Sequence, residues 1–329
     1  MAPNAQRGFV LVATLWILAV ITIAASYFAE RVSHSIELAR QKQEVTDQLV
    51  EFANTRADLL YRLGTVPITV NGLGRQPVVI ALDDRPYLGS GDDIVRLQDN
   101  RGLLNVNYPE QNMMARLLGQ LGVPIEKRDA MIDTLLDYTD SDDLRRLNGA
   151  EASEYAALGL PPPPNDWLAS PYQLRNIIGW RDQPQLWENE RLLQFVTTSR
   201  VIYFNPNTAP PELLASLPGS TREAAAAIVK MRNEKPLYFT GQLAGLTAGM
   251  LNSEFLYFFP SDSIRVTQQS KKLPWAVQYS VTLTPRLESA PWRVDYYVKT
   301  AVTYPPENVD KIQKLPAQTS TPSGADETL

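Results

Sequence analysis

Cysteine is absent from the chain, and histidine occurs once, as His34. Without thiols there is no disulfide, no thiolate nucleophile and no zinc site built on cysteine. A single histidine on the polar side of a helix, just beyond an apolar run, reads as a solvated side chain. It cannot furnish the nucleophile, base and orienting group that hydrolytic sites need. An excess of basic residues is missing as well: the net charge is -5 and the pI about 5.2. A phosphate backbone calls for a basic face, so a general nucleic-acid binder is disfavoured. Only carboxylate chemistry is left, and the sequence shows no paired acids in a cleft. The chain reads as a non-enzyme.

What the sequence does contain begins at its N-terminus. Phe9 to Ala29 carries no charge, no proline and no glycine. As a helix it would be roughly 30 Å long, the thickness of a bilayer's hydrocarbon core. An export signal would have a shorter apolar run ending in a small-residue cleavage site. Ser26-Tyr27-Phe28-Ala29-Glu30 is a poor site of that kind, which favours a single-pass anchor. Residues 30–63 also lack proline and glycine, and Val45, Leu49, Phe52, Ala53, Leu59, Leu60 and Leu63 recur at helical spacing. The spacing predicts one long helix, the first half in lipid and the second laid on a globular domain. Gly64 and Pro67 end it.

Beyond the helix, β-branched runs at Pro67–Val70, Pro77–Leu82 and Ile94–Leu97 are punctuated by Asn71-Gly72, Arg85-Pro86 and Gly89-Ser90-Gly91. Asn100-Arg101-Gly102 reads as a hairpin turn into Leu103–Asn107. From Tyr108 the pattern turns helical, with helices expected over 110–121, 126–138, 171–178, 188–196, 211–217, 222–233 and 241–246. Strands return at Ser263–Thr267, Ala276–Thr284 and Trp292–Val302, the last two as an antiparallel pair. Strands, helices, then strands again is most economically one small antiparallel sheet, over 64–107 plus 262–304, with an all-α domain inserted at 108–261. The tail at 305–329 is rich in Pro, Ser, Thr and charge and is expected to be disordered. A weak internal echo pairs Asn105-Val106-Asn107 with Asn205-Pro206-Asn207. Each is expected to close a strand and cap the following helix with a side-chain oxygen.

Several separate stretches resemble the minor pseudopilin K of bacterial type II secretion, the general secretion pathway protein K family. They are Arg7-Gly8 followed by Phe9, Leu97–Asn107, Asp137–Asp143 with Gly149-Ala150-Glu151 and Tyr155, and Asn165, Gln173-Leu174, Gly179 and Asn205–Pro210. Together they span residues 7 to 259. Gln173 stands where the family usually has Glu, and the last strands match in pattern only. The resemblance implies an α+β, type IV pilin-like fold with a large inserted α-domain. It also implies an eight-residue leader cut by prepilin peptidase between Gly8 and Phe9, with methylation of Phe9. The expected role is capping or initiating a periplasmic pseudopilus that drives folded proteins across the outer membrane. Its partners would be minor pseudopilins I and J and the major pseudopilin, at the bacterial inner membrane, with the bulk of the chain in the periplasm.

Three sets of residues invite functional assignment. The fifth residue after the expected cut is Ala13. Most pilins have glutamate there, which compensates a neighbour's N-terminal amine in the apolar bundle, where an unpaired charge is costly. Ala13 cannot do so, which favours a tip position; alternatively it is simply compatible with lipid. Asp137, Asp140, Asp142 and Asp143, with Glu151, are hard oxygen donors suited to calcium, and the family's α-domain binds that ion. Their spacing is not that of an EF-hand. Asp133 and Asp137 near a helix C-terminus need compensation, from a cation or from Arg145 and Arg146; a solvated acidic turn with local salt bridges would need no ion. Finally, Asn207–Gly219, Ala224–Arg232 and Tyr238-Phe239 resemble a helix-hairpin-helix module for DNA phosphates. Its Pro218-Gly219-Ser220-Thr221 hairpin lacks the second glycine, and residues 101–260 carry 14 basic against 18 acidic side chains. A structural hairpin is therefore preferred to the alternative of a DNA-binding pilin. The aromatic run Phe255–Phe259 reads as core.

Overall fold

The computed structural model describes residues 7–89, 93–248, 253–288, 290–302 and 312–316. Helix α1 (Arg7–Thr65) is unbroken, in keeping with the absence of proline and the scarcity of glycine along it. The chain divides into two compact units, residues 1–51 and 52–329.

The first unit is helical throughout its described part. It includes a stretch long and apolar enough to cross a membrane, none of which is buried. Two threonines interrupt the apolar surface, and each satisfies its hydroxyl internally. Thr14 donates to the Leu11 carbonyl (2.9 Å) and Thr22 to that of Leu18 (2.7 Å), so both threonine donors are paired as a waterless environment would require. Farther along, exposed i,i+4 pairs such as Arg40–Glu44 and Gln43–Asp47 mark a water-facing helix.

In the second unit, Phe52, Leu59 and Leu63 of α1 join a core with Leu73, Leu97, Val266, Val277 and Tyr279. Their spacing of seven and four places them on one helical face. A small antiparallel sheet comprises β1 (Ile68–Thr69), β2 (Gly72–Arg75) and β3 (Val78–Ile80). The main sheet draws on β4 (Asp83–Leu88), β5 (Ile94–Asp99), β8 (Ser263–Gln269), β9 (Ala276–Leu283), β10 (Trp292–Thr300) and β11 (Gln313–Lys314), in the order β10-β9-β8-β5-β4-β11. All neighbours are antiparallel except β4 and β11. Between β5 and β8 the chain leaves the sheet and forms β6 (Leu104–Asn105), α2 (Gln111–Gln120), α3 (Ile125–Thr139), α4 (Ala152–Ala157), α5 (Pro184–Trp187), β7 (Val196–Thr197), α6 (Pro211–Ser216) and α7 (Arg222–Glu234). These helices enclose a separate apolar core around Met113, Leu117, Leu135, Trp180 and Ile228.

The differences from the sequence expectations have identifiable causes. Arg85-Pro86 lies inside β4 rather than at a turn; the pairing is irregular between Asp83 and Pro86, where a missing N–H is tolerated. Asn100–Gly102 is a 3-10 turn, and β6 pairs in parallel with β7 instead of folding back on β5. The expected helix over 188–196 breaks into 3-10 turns because Asn189 and Glu190 have φ of 50° and 54°. The helices expected at 171–178 and 241–246 are likewise 3-10, at Pro171–Asn176 and Thr240–Leu243. Of the tail expected to be disordered, residues 312–316 are described and contribute β11. The rest of that tail, and residues 1–6 of the leader, lie outside the described residues.

Candidate functional site

One tie between the helical insertion and the sheet centres on a buried carboxylate. Asp99 is fully buried, and its Oδ1 accepts from the Arg101 and Ser261 backbone N–H groups (3.0 and 2.9 Å) and from the Ser261 hydroxyl (2.6 Å). Its Oδ2 accepts from Asn205 Nδ2 (3.1 Å) and the Thr208 hydroxyl (2.8 Å). The end of β5, the start of the second helical pair and the return to β8 therefore meet at one side chain.

The asparagine echo is a structural repeat. Asn105 Oδ1 accepts from the Asn107 N–H (2.9 Å), as Asn205 Oδ1 does from Asn207 (3.0 Å). Asn107 exchanges two hydrogen bonds with the Leu168 backbone and donates to the Thr198 carbonyl. Asn207 does the same with Leu237 and Phe258. Gln173 Oε1 accepts from the N–H groups of Ala169 and Ser170, and Gln242 Oε1 from those of Tyr238 and Phe239. The parallel pairing of Leu104 with Val196 is matched by that of Phe204 with Leu256. These asparagines do not cap helices as expected. Each fixes its own turn and then clamps a distant backbone, while α2 is capped by Glu110. Gln173 in place of Glu is explained by its task, since only an acceptor for two N–H groups is needed.

The two repeats differ chiefly in the length of chain beyond the helical pair. From α7 the chain reaches Leu237 almost directly, whereas from α3 it takes residues 140–167, the acidic segment, to reach Leu168. Asp137 and Asp140 share the guanidinium of Arg146, at 2.6 Å each. Asp137 also accepts from the Arg146 backbone N–H. Gly149 allows this approach, because a Cβ there would lie 1.8 Å from Asp137 Oδ2. Asp133 is met by the backbone and side-chain N–H groups of Asn148 (3.1 Å each), and Arg145 pairs with Glu154. Glu151 is 5 % exposed, and neither of its carboxylate oxygens has a hydrogen-bond partner among the described residues. Burial first, then the charges of Asp137 and Asp140, push its carboxyl up to about 7. Asp140 Oδ1 and Asn165 Oδ1 are also buried without hydrogen-bond partners among the described residues.

The structure thus brings together Asp137, Asp140 and Glu151. Asp142 and Asp143 lie close enough for their charges to raise Glu151 further, but they are exposed and engaged elsewhere: Asp142 Oδ1 accepts from the Leu144 N–H and Asp143 Oδ1 from Asn165 Nδ2. Orphaned buried carboxylate and amide oxygens suit a hard cation in their chemistry. Among the described residues, however, no three acidic groups converge as a metal site, and Arg146 serves as the cation between Asp137 and Asp140. Asn165 was the least legible member, since its φ of 49° and its inward oxygen come from loop geometry alone.

The segment resembling helix-hairpin-helix modules is a helical hairpin of α6 and α7. Arg116 of α2 closes the α6 end, donating to the carbonyls of Ala215, Ser216 and Ser220. Of the residues expected in processing and assembly, Gly8 and Phe9 lie in the backbone of α1, with side chains outside the described set, and Ala13 lies one turn farther along. Phe255–Phe259 is not uniformly core: Leu256 and Phe258 are buried, while Tyr257 and Phe259 face outward.

No curated protein matches the chain. Among solved structures, a chain of the GspK–GspI–GspJ complex from the type 2 secretion system of enterotoxigenic Escherichia coli is similar in fold. It has a TM-score of 0.57 and 17% identity, over 80% of this chain and 99% of that one. Residues 93–198, from β5 through the first repeat and its acidic segment, match the family described as type II secretion system (T2SS), protein K. The chain thus shares the scaffold of long helix, antiparallel sheet and helical insertion with that structure, and its residues 93–198 are similar to the type II secretion system protein K family.

Proposed function

We propose that this chain is a minor pseudopilin of the type II secretion system, placed at the tip of a periplasmic pseudopilus with minor pseudopilins I and J. The observation that carries the reading is the protein K match over residues 93–198. It falls on the segment that joins the sheet to the helical insertion and includes the Asp99 and Asn107 clamps. The role is structural rather than catalytic. The apolar part of α1 anchors the chain in the inner membrane with the bulk of it in the periplasm. Prepilin peptidase cuts between Gly8 and Phe9, Phe9 is N-methylated, and the freed helix packs into a bundle with the major pseudopilin. Ala13 offers no carboxylate to a neighbour's N-terminal amine, which fits the end of that bundle rather than its middle. In the acidic segment, Asp137, Asp140 and Glu151, with Asn165, would hold calcium, relieving the orphaned oxygens; bound calcium would supply charge compensation.

The test is co-expression of the full chain with minor pseudopilins I and J from the same cell, then purification in detergent. A stable ternary complex is expected. A chain that associates with neither partner would sink the reading.

A further inference from the structure

The two repeats use the outside of their short parallel strand pairs differently. In the first, Thr197 donates to Asn100 Oδ1 (3.0 Å), and Asn100 in turn donates to Ser263 of β8 and Ser280 of β9. Arg265 of β8 donates to the carbonyls of Leu193 and Gln194 just before the pair. That edge of the first repeat is therefore closed by the main sheet. The register of the repeats sets Leu103 against Tyr203, Thr197 against Tyr257 and Ser199 against Phe259. Leu103 and Thr197 are each 3% exposed, whereas Tyr203, Tyr257 and Phe259 are 43%, 47% and 46% exposed.

These outward positions are organised. The Tyr203 and Tyr257 rings lie 5.9 Å apart and those of Tyr257 and Phe259 6.1 Å apart. The Arg101 guanidinium sits 4.6 Å from the Tyr257 ring centroid and donates to the Phe259 carbonyl at 2.6 Å. Rigid, exposed aromatic side chains braced by arginine form the kind of surface on which binding energy concentrates, because little side-chain entropy is lost on docking. Solvation alone gives no reason to gather three rings where the sister repeat has Leu, Thr and Ser.

We propose that Tyr203, Tyr257 and Phe259, braced by Arg101, are the docking face of the second repeat for the β-sheet of a neighbouring pilin-type subunit. The first repeat identifies the occupant, since Thr197, the counterpart of Tyr257, is closed by this chain's own main sheet through Asn100, which donates to the Ser263 and Ser280 hydroxyls. A second sheet with a similar polar end suits the Arg101 donor and the tyrosine hydroxyls. The inference rests on the assembly reading above.

The test uses the full chain with pseudopilins I and J in detergent. In one variant, Tyr203→Leu, Tyr257→Thr and Phe259→Ser install the first repeat's own residues; Phe259→Ser alone is a milder second variant. Binding of the triple variant is expected to weaken about tenfold or more, and of the single variant measurably, with unchanged thermal melts. Tyr238→Ser, an exposed aromatic outside the face, should leave binding unchanged. Binding of both face variants within about twofold of wild type, or an equal loss in Tyr238→Ser, overturns the proposal. Self-association of the wild type that disappears in the triple variant also overturns it, assigning the face to a second copy. A wild type that binds neither pseudopilin fails the assembly reading itself, and the named occupant falls with it.

Discussion

Replacing Asp99 should separate the helical insertion from the sheet, at a cost that depends on the replacement. In Asp99→Ala the five hydrogen bonds to the carboxylate are lost. Ser261 and Thr208 can rotate their hydroxyls toward the Ser263 and Asn205 carbonyls (2.9 and 3.4 Å). The backbone N–H groups of Arg101 and Ser261 cannot move, and the Asn205 amide is pinned because its oxygen accepts from Asn207. Three donors are left buried, and at about 1–3 kcal/mol each, partly relieved by water entering the gap, the expected loss is about 4–5 kcal/mol. Asp99→Asn keeps one acceptor. If its oxygen replaces Oδ1, the three bonds to Arg101 and Ser261 survive and the new amide faces Asn205 and Thr208; about 2 kcal/mol is expected. Urea unfolding of the detergent-solubilised chain, monitored by tryptophan fluorescence, measures both. A loss below about 1 kcal/mol for Ala, or a larger loss for Asn than for Ala, would show that Asp99 does not hold the junction.

Three further outcomes can be checked. Asn207→Ala removes the clamp on Leu237 and Phe258 and should cost about 2–4 kcal/mol; Asn107→Ala should cost a similar amount, and a cost for either below about 0.5 kcal/mol would deny the clamp its role. Burial first raises the hydroxyls of Tyr155, Tyr172 and Tyr296 to about 12. The unfolded chain ionises these groups near 10 while the fold keeps them protonated, so stability is full below pH 10 and falls as pH rises toward 12. Tyrosinate absorbance should therefore lag the ordinary titration and rise with unfolding; free titration at pH 10 in the folded chain would contradict the burial. Mass spectrometry of the chain from cells with active prepilin peptidase should show it beginning at N-methylated Phe9, and an intact Met1 there would exclude processing at Gly8.

Legibility in the sequence tracked the range of the interactions. The long helix could be read because its determinants are local: no proline, little glycine, apolar residues at helical spacing. Helices α2, α3, α6 and α7 and the strands β8 to β10 were visible for the same reason, since each carries a continuous period. What escaped depends on distant partners. β4 hides behind Arg85-Pro86 because its irregular pairing excuses the proline. The break at Asn189–Glu190 comes from a positive φ that no local pattern announces; Glu190 is held there by Tyr172 and Ala301. At the acidic segment the carboxylates were legible as a cluster, but their division was not. Arg146 and Gly149 decide that Asp137 and Asp140 are compensated while Glu151 is left alone, and both act through geometry formed only after the loop closes.

The repeat also bears on how the proposed calcium would act. The second repeat builds its helical pair, its Asn207 clamp and its strand pairing with no acidic segment at all. The hairpin architecture therefore does not depend on a metal, and the first repeat, with the same clamps through Asn107 and Gln173, has its own means of folding. The segment at 140–167 is an elaboration between α3 and Leu168, with Leu144 and Leu147 exposed and Arg146 pairing with Asp140 and with Asp137 of α3. Calcium bound there would order that segment rather than fold the domain. Hydrogen exchange should then show protection on calcium addition confined to residues 140–167 and the start of α4, with the core around Trp180 unchanged, and a modest rise in melting temperature. Protection spread evenly through α6 and α7 would mean that the metal stabilises the whole insertion, and that the two repeats do not fold on equal terms.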